Sequence, residues 1–177
     1  MRYRLQMLPA QLNLLDSHDV SRYLSLCGEN IDKMELSVLL QMTFPGMPCV
    51  FYGDELGLTG VSEPEYRQAM PWGRDHPFRA LYRELISLRR GHPALRRGRF
   101  RVEVAQGDQL AYTLEDASER VLVLFNRASA PVDARPWLNA AGAAALAQSG
   151  VESGRLAAGG YLSLIHISEP TRLDVIS

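Results

Sequence analysis

The sequence predicts an α/β unit followed by a small antiparallel β module, and three observations carry that expectation. Two short apolar runs, "LNLLD" from Leu12 and "CVFY" from Cys49, flank a segment of helical periodicity, which is the strand, helix, strand order of a parallel βαβ unit. Both runs end in polar clusters, "DSHD" at Asp16 to Asp19 and "GDE" at Gly53 to Glu55. Beyond Gly98 the texture changes to "FRVEV", "LAYTL" and "VLVLFN", alternating or apolar segments separated by "AQGD" and "EDASE".

Taken in order, a polar lead with helical character runs to Met7 and is broken by Pro9. "LNLLD" follows as a short strand whose continuous apolar character predicts cover on both faces. "CGEN" turns the chain, and from Ile31 to Phe44 the residues Met34, Leu36, Val38, Leu39, Leu40 and Met42 recur at near-helical spacing until "PGMP" stops them. "CVFY" is the second strand. A long irregular loop to Pro77 leads into "FRALYRELISLRR", where Phe78, Leu81, Leu85 and Leu88 fall at intervals of three and four before "GHP" ends the helix. "NAAGAAALA", Asn139 to Ala147, suits either a short helix or a strand with a loop.

With 177 residues, 46% of them hydrophobic, the chain has material for a packed core rather than a disordered tail. Its 19 basic and 20 acidic side chains leave a net charge of −1, so no global field favours nucleic acid or an anionic membrane. The two cysteines, Cys27 and Cys49, read as reduced core thiols, too few for a disulfide scaffold. No apolar run approaches the ~20 residues of a membrane span, and the N-terminus has no signal-peptide core, so a cytoplasmic location is expected.

In parallel α/β folds ligands sit beyond the C-terminal ends of strands, which would bring His18, Asp19, Asp54 and Glu55 to one site. An alternative of comparable weight makes Asp19 and Asp54 helix caps and His18 a satisfied polar residue.

"LNLLDSHDVSRYL", followed by "LLQMTFPGMPCVFYGDELGLTG" and "YRQAMPW", resembles the region of the seventh and eighth strands in the α-amylase family of glycoside hydrolases, within it the neopullulanase, cyclomaltodextrinase and maltogenic amylase branch. The resemblance covers about residues 11 to 73 and continues more weakly through "LYRELISLRRGHPALRRG". It implies the C-terminal part of a (β/α)8 barrel, about strands 7 and 8 with their helices, over 1–91. A small, truncated antiparallel β-sandwich domain would occupy 92–161. His18 and Asp19 match the family's His-Asp pair. The resemblance implies that Asp19 stabilises the oxocarbenium-like transition state and that His18 hydrogen-bonds the same sugar, since a fixed anion beside a developing positive charge lowers its energy.

Around that pair, Asp16 and Ser17 are expected to support rather than react, and Asp54 and Glu55 to be structural. Arg22 is a candidate substrate contact, set against a loop salt bridge. Arg67, Met70 and Trp72 are expected to fold the long loop over the barrel, with Trp72 a candidate sugar-stacking ring set against a core ring. A retaining glycosidase needs two further carboxylates about 5–5.5 Å apart, as nucleophile and general acid/base. In the family these follow the fourth and fifth strands, which would lie upstream of residue 1. The chain is therefore expected to be an inactive C-terminal fragment.

The expected substrate of the longer protein is an α-glucan, maltooligosaccharide or cyclodextrin, with no nucleic acid or membrane partner and a homo-oligomeric parent allowed. No cofactor or metal site is identified, and calcium in the longer protein is left open. A transglycosylase or isomerase of the same family would keep the same residues. A non-catalytic binding protein built on the barrel is the rival from another class, weakened by retention of both His18 and Asp19.

The last stretch has a different resemblance. "LSLIHISEPTR", Leu162 to Arg172, reads back without interruption into one frame of the transposase adapter used in sequencing-library preparation. Residues 162–177 are accordingly expected to be a non-native tail, although Leu162–Arg172 would also pass as an alternating strand with Leu164 and Ile165 inward.

Overall fold

The computed structural model describes residues 5–138 and 144–167. After a 3₁₀ turn at Leu5–Ala10, which runs through Pro9, β1 (Leu12–Asn13) leads into the turn carrying Asp16 to Asp19. α1 (Tyr23–Leu26) and α2 (Ile31–Thr43) follow, then β2 (Met47–Pro48), parallel to β1. Asn30 Oδ1 caps α2 by accepting from Lys33 N–H at 2.9 Å. The parallel pair flanks α2 as expected, but β1 takes only the start of its apolar run, and the second strand falls in "PGMP" rather than at "CVFY". The ladder joins Leu12–Asn13 to Met47–Pro48, so "CVFY" lies beyond it. Leu12, Leu14 and Met47 are exposed, because no described residue covers the outer edges of this two-stranded sheet.

A 3₁₀ turn at Asp54–Leu56 and α3 (Glu63–Tyr66) shape the long loop. Gly53 has φ 89°, and a Cβ there would collide with Leu58, so only glycine lets the chain turn Asp54 inward at this point. α4 (Pro77–Gly91) buries Phe78, Tyr82, Leu85 and Arg89, with Leu81 and Leu88 partly covered. α5 (Pro93–Arg97) then hands over to the sheet.

That sheet is antiparallel: β3 (Arg99–Gln106), β4 (Gln109–Glu115) and β5 (Glu119–Asn126) form a meander. β6 (Val132–Asp133) and α6 (Arg135–Leu138) precede β7 (Ala144–Glu152) and the long β8 (Arg155–Ile167). β8 pairs β5 along one edge and β7 along the other, and meets β6 at its start. Of "NAAGAAALA", Ala144 to Ala147 are strand, and residues 139–143 lie outside the described residues. Leu162–Ile167, from the stretch that resembles adapter sequence, lies in β8, with Leu162, Leu164 and Ile165 buried; residues 168–177 are outside the described set.

One core joins α2, α4 and α5 to the face of the sheet bearing Tyr112, Leu114, Val121 and Val123. Phe44, just past α2, packs edge-on against Phe100 and Tyr112, while Thr43 Oγ1 and the Tyr112 hydroxyl are 2.6 Å apart. Glu119 locks the two parts together: its Oε1 accepts from Ala94 N–H at 2.8 Å and its Oε2 meets His92 Nδ1 at 2.9 Å. The cysteines correct the expectation of core thiols, for both are free but Cys27 is half-buried and Cys49 exposed.

Candidate active site

The turn after β1 sorts its polar residues by depth. Asp16 points inward, where Oδ2 accepts from Tyr23 N–H at 2.8 Å and so satisfies a free amide at the start of α1. Ser17 Oγ accepts from Asp19 N–H at 3.3 Å, tightening the turn. His18 and Asp19 point outward, with both side chains 67% exposed and His18 Nε2 3.3 Å from Asp19 Oδ1.

The long loop closes on this pair. Arg67 donates from Nε to the His18 carbonyl at 2.9 Å and from Nη2 to Asp19 Oδ1 at 3.3 Å, and its Nη1 lies 3.1 Å from Glu63 Oε1. The loop is also anchored independently of Arg67: Arg22 N–H donates to Gly60 O, Gly60 N–H to Ser25 Oγ, and Ser21 Oγ to Val61 O. Glu65 accepts from the Ser62 and Val61 amides, and those bonds hold its carboxyl below the usual range. A contact between Arg67 and Asp19 has no signal in sequence, because the residues are 48 apart and the loop between them has no period.

Asp54 and Glu55 do not join the exposed pair. Asp54 is buried beneath it, and Glu55 Oε2 accepts from Gly53 N–H at 2.9 Å. Arg22 likewise lies in the interior, beside Asp54, rather than on the open face. Trp72 is 87% exposed, which removes the core reading of that ring. Among the described residues no group of three or more His, Cys, Asp and Glu side chains is arranged to hold a metal ion.

Residues 2–84 match the alpha amylase catalytic domain. A cyclomaltodextrinase of Geobacillus thermopakistaniensis is 40% identical over 148 residues, covering 77% of this chain and 25% of the relative. Residues 2–84 belong to the α-amylase family. Neopullulanase 2 of Thermoactinomyces vulgaris is 44% identical to this chain over 129 residues, 64% of the chain and 22% of the relative. The fold agrees: the debranching enzyme of Nostoc punctiforme, from an acarbose-soaked crystal, superposes with a TM-score of 0.77 at 31% identity over 92% of this chain and 35% of that one. The family is one of glycoside hydrolases. The chain spans about a quarter of the length of these two curated relatives.

The geometry can supply a fixed anion and hydrogen-bonding partners to a neutral, hydroxyl-rich ligand. Asp19 Oδ1 is engaged by His18 and Arg67, and the carboxylate as a whole is open to solvent. No helix of the described residues is long and apolar enough to cross a membrane.

Proposed function

We propose that this chain supplies the sugar-gripping rim of an α-glucan-active glycosidase, the end of a (β/α)8 barrel with β1 and β2 as its seventh and eighth strands. Asp19 is the transition-state stabiliser and His18 the hydrogen-bonding partner of the sugar undergoing cleavage. The supporting observation is an exposed carboxylate, held by a guanidinium and 3.3 Å from an imidazole, in the turn after one of two parallel strands. A carboxylate so placed can face the charge that develops at an anomeric carbon. Trp72 is the candidate stacking ring, since an exposed indole offers a flat apolar face to a sugar. Arg22 contributes from beneath rather than by touching substrate.

The longer protein would act by double displacement on an α-glucan, maltooligosaccharide or cyclodextrin, without a nucleic-acid or membrane partner. By itself the chain lacks the nucleophile and general acid/base. The carboxyls around Asp19 are committed elsewhere: Asp16 and Asp54 are buried with Arg22, and Glu63 is paired with Arg67. Incubating the purified chain with maltooligosaccharides and with cyclodextrins is expected to release no sugar above background. Clear turnover by the purified chain would show that a complete catalytic set is present and would overturn the reading that the chain lacks its nucleophile and general acid/base.

A further inference from the structure

The turn that carries the exposed pair is backed by a buried charged cluster. Arg22, Asp16 and Asp54 are 0%, 2% and 3% exposed. The Arg22 guanidinium lies over the rings of Phe51 and Tyr52, 4.2 and 4.6 Å from their centroids. Its Nη1 donates to Tyr52 O at 2.6 Å and reaches Asp54 Oδ1 at 3.4 Å, and its own amide donates to Gly60 O at 2.8 Å. Asp16 holds the start of α1 through Tyr23 N–H. One residue therefore ties together the turn bearing His18 and Asp19, the segment after β2 and the long loop.

Asp16 Oδ1 and Asp54 Oδ2 are both buried without a partner, as are Arg22 Nε and Nη2. A proton on Asp54 gives that carboxyl a donor and leaves the cluster with one negative charge fewer to bury beside the guanidinium. A buried ionic cluster gives less stability than apolar packing of the same volume, so its position two residues before His18 calls for a specific use.

We propose that Arg22, held by the Asp54 carboxyl and the Tyr52 carbonyl, is the positioning residue of the His18–Asp19 site, fixing the turn that carries them without contacting ligand. This role rests on the sugar-binding assignment of His18 and Asp19, but the geometry it asserts is measurable with no sugar present. The proton on Asp54 also gives the cluster a pH signature. Burial, then Asp16, push Asp54 up to about 8; Glu55 acts the same way and Arg22 opposes it. The buried Tyr82 hydroxyl feels the same three carboxyls.

Hydrogen exchange by mass spectrometry on the full chain tests this, with rates corrected for intrinsic pH dependence, peptides over 14–24 and 52–62 as reporters and β4–β5 as internal reference. The wild-type chain is expected to lose protection over 14–24 with a midpoint at about 8, as Asp54 ionises. Asp54→Asn, whose amide reproduces the donor and acceptor of the neutral acid, is expected to stay protected through that range. Arg22→Lys keeps the charge but not the fork or the flat face, and should lose roughly tenfold protection in both reporters with the reference unchanged. Wild-type protection in Arg22→Lys, or an alkaline loss that persists in Asp54→Asn, overturns the proposal. If Arg22→Lys does not fold, the pH profiles of the wild-type and Asp54→Asn chains decide the matter alone. The sugar assignment fails by a separate route, through the turnover of Asp19→Asn.

Discussion

Arg67 Nη2 lies 3.3 Å from Asp19 Oδ1, so the loop after β2 reaches back to grip the carboxylate after β1. Both side chains are exposed, and exposed pairs contribute only about 0.2–1 kcal/mol. The loop keeps its anchors at Gly60 and Val61 when this pair is lost. Arg67→Ala is therefore expected to lower unfolding free energy in urea by less than ~1 kcal/mol. A loss above ~2 kcal/mol would mean that the guanidinium itself holds the loop in place.

Arg89 gives the opposite case. It is buried on α4 and donates to the carbonyls of Met42, Phe44 and Gly46, closing the end of α2 and the turn into β2. Arg89→Met leaves those buried acceptors unpaired and should cost about 2–4 kcal/mol by the same denaturation measurement. A cost below ~1 kcal/mol would show that water replaces the donor freely.

Asp54 makes stability depend on pH in a defined direction. Its carboxyl titrates near 3.8 in the unfolded chain and at about 8 in the folded one. Between those values the folded state holds a proton that the unfolded state has released, so stability present below the lower value is lost as pH rises to the upper one. Asp54→Asn does not titrate. Its Tm relative to wild type should rise steadily across that window and level off above it; a Tm difference independent of pH would contradict the assignment.

Much of this arrangement is legible in the residues. α2 and α4 follow from their periodicity, β3 to β5 from alternation between turns, and the His18–Asp19 pair from its place after an apolar run. β1 is shorter than its run and β2 precedes "CVFY", because pairing is set by which backbone groups meet a neighbour, which apolar content alone does not fix. Arg22 is ambiguous in sequence, since a guanidinium after a polar turn suits a surface pair or a ligand. Its burial depends on Phe51 and Tyr52, about thirty residues away and placed only by the tertiary fold. Arg67 is legible as a loop-folding residue but its partner Asp19 is not, the contact being set by how a long aperiodic loop is pinned.

The open edges of β1 and β2 carry a further consequence. Leu12, Leu14 and Met47 are exposed beside unpaired strand edges, a combination that promotes association. Sedimentation velocity is expected to show concentration-dependent self-association of the chain, reduced by Leu14→Lys. A strictly monomeric wild-type chain at high concentration would show that these edges are protected.

The most direct measurement is turnover by Asp19→Asn in a longer protein that contains this chain. Loss of the fixed anion should lower kcat by roughly 10²–10³ while KM changes by less than about threefold, because the interaction strengthens in the transition state. A kcat within about threefold of wild type would contradict the placement of Asp19 beside the cleaved bond.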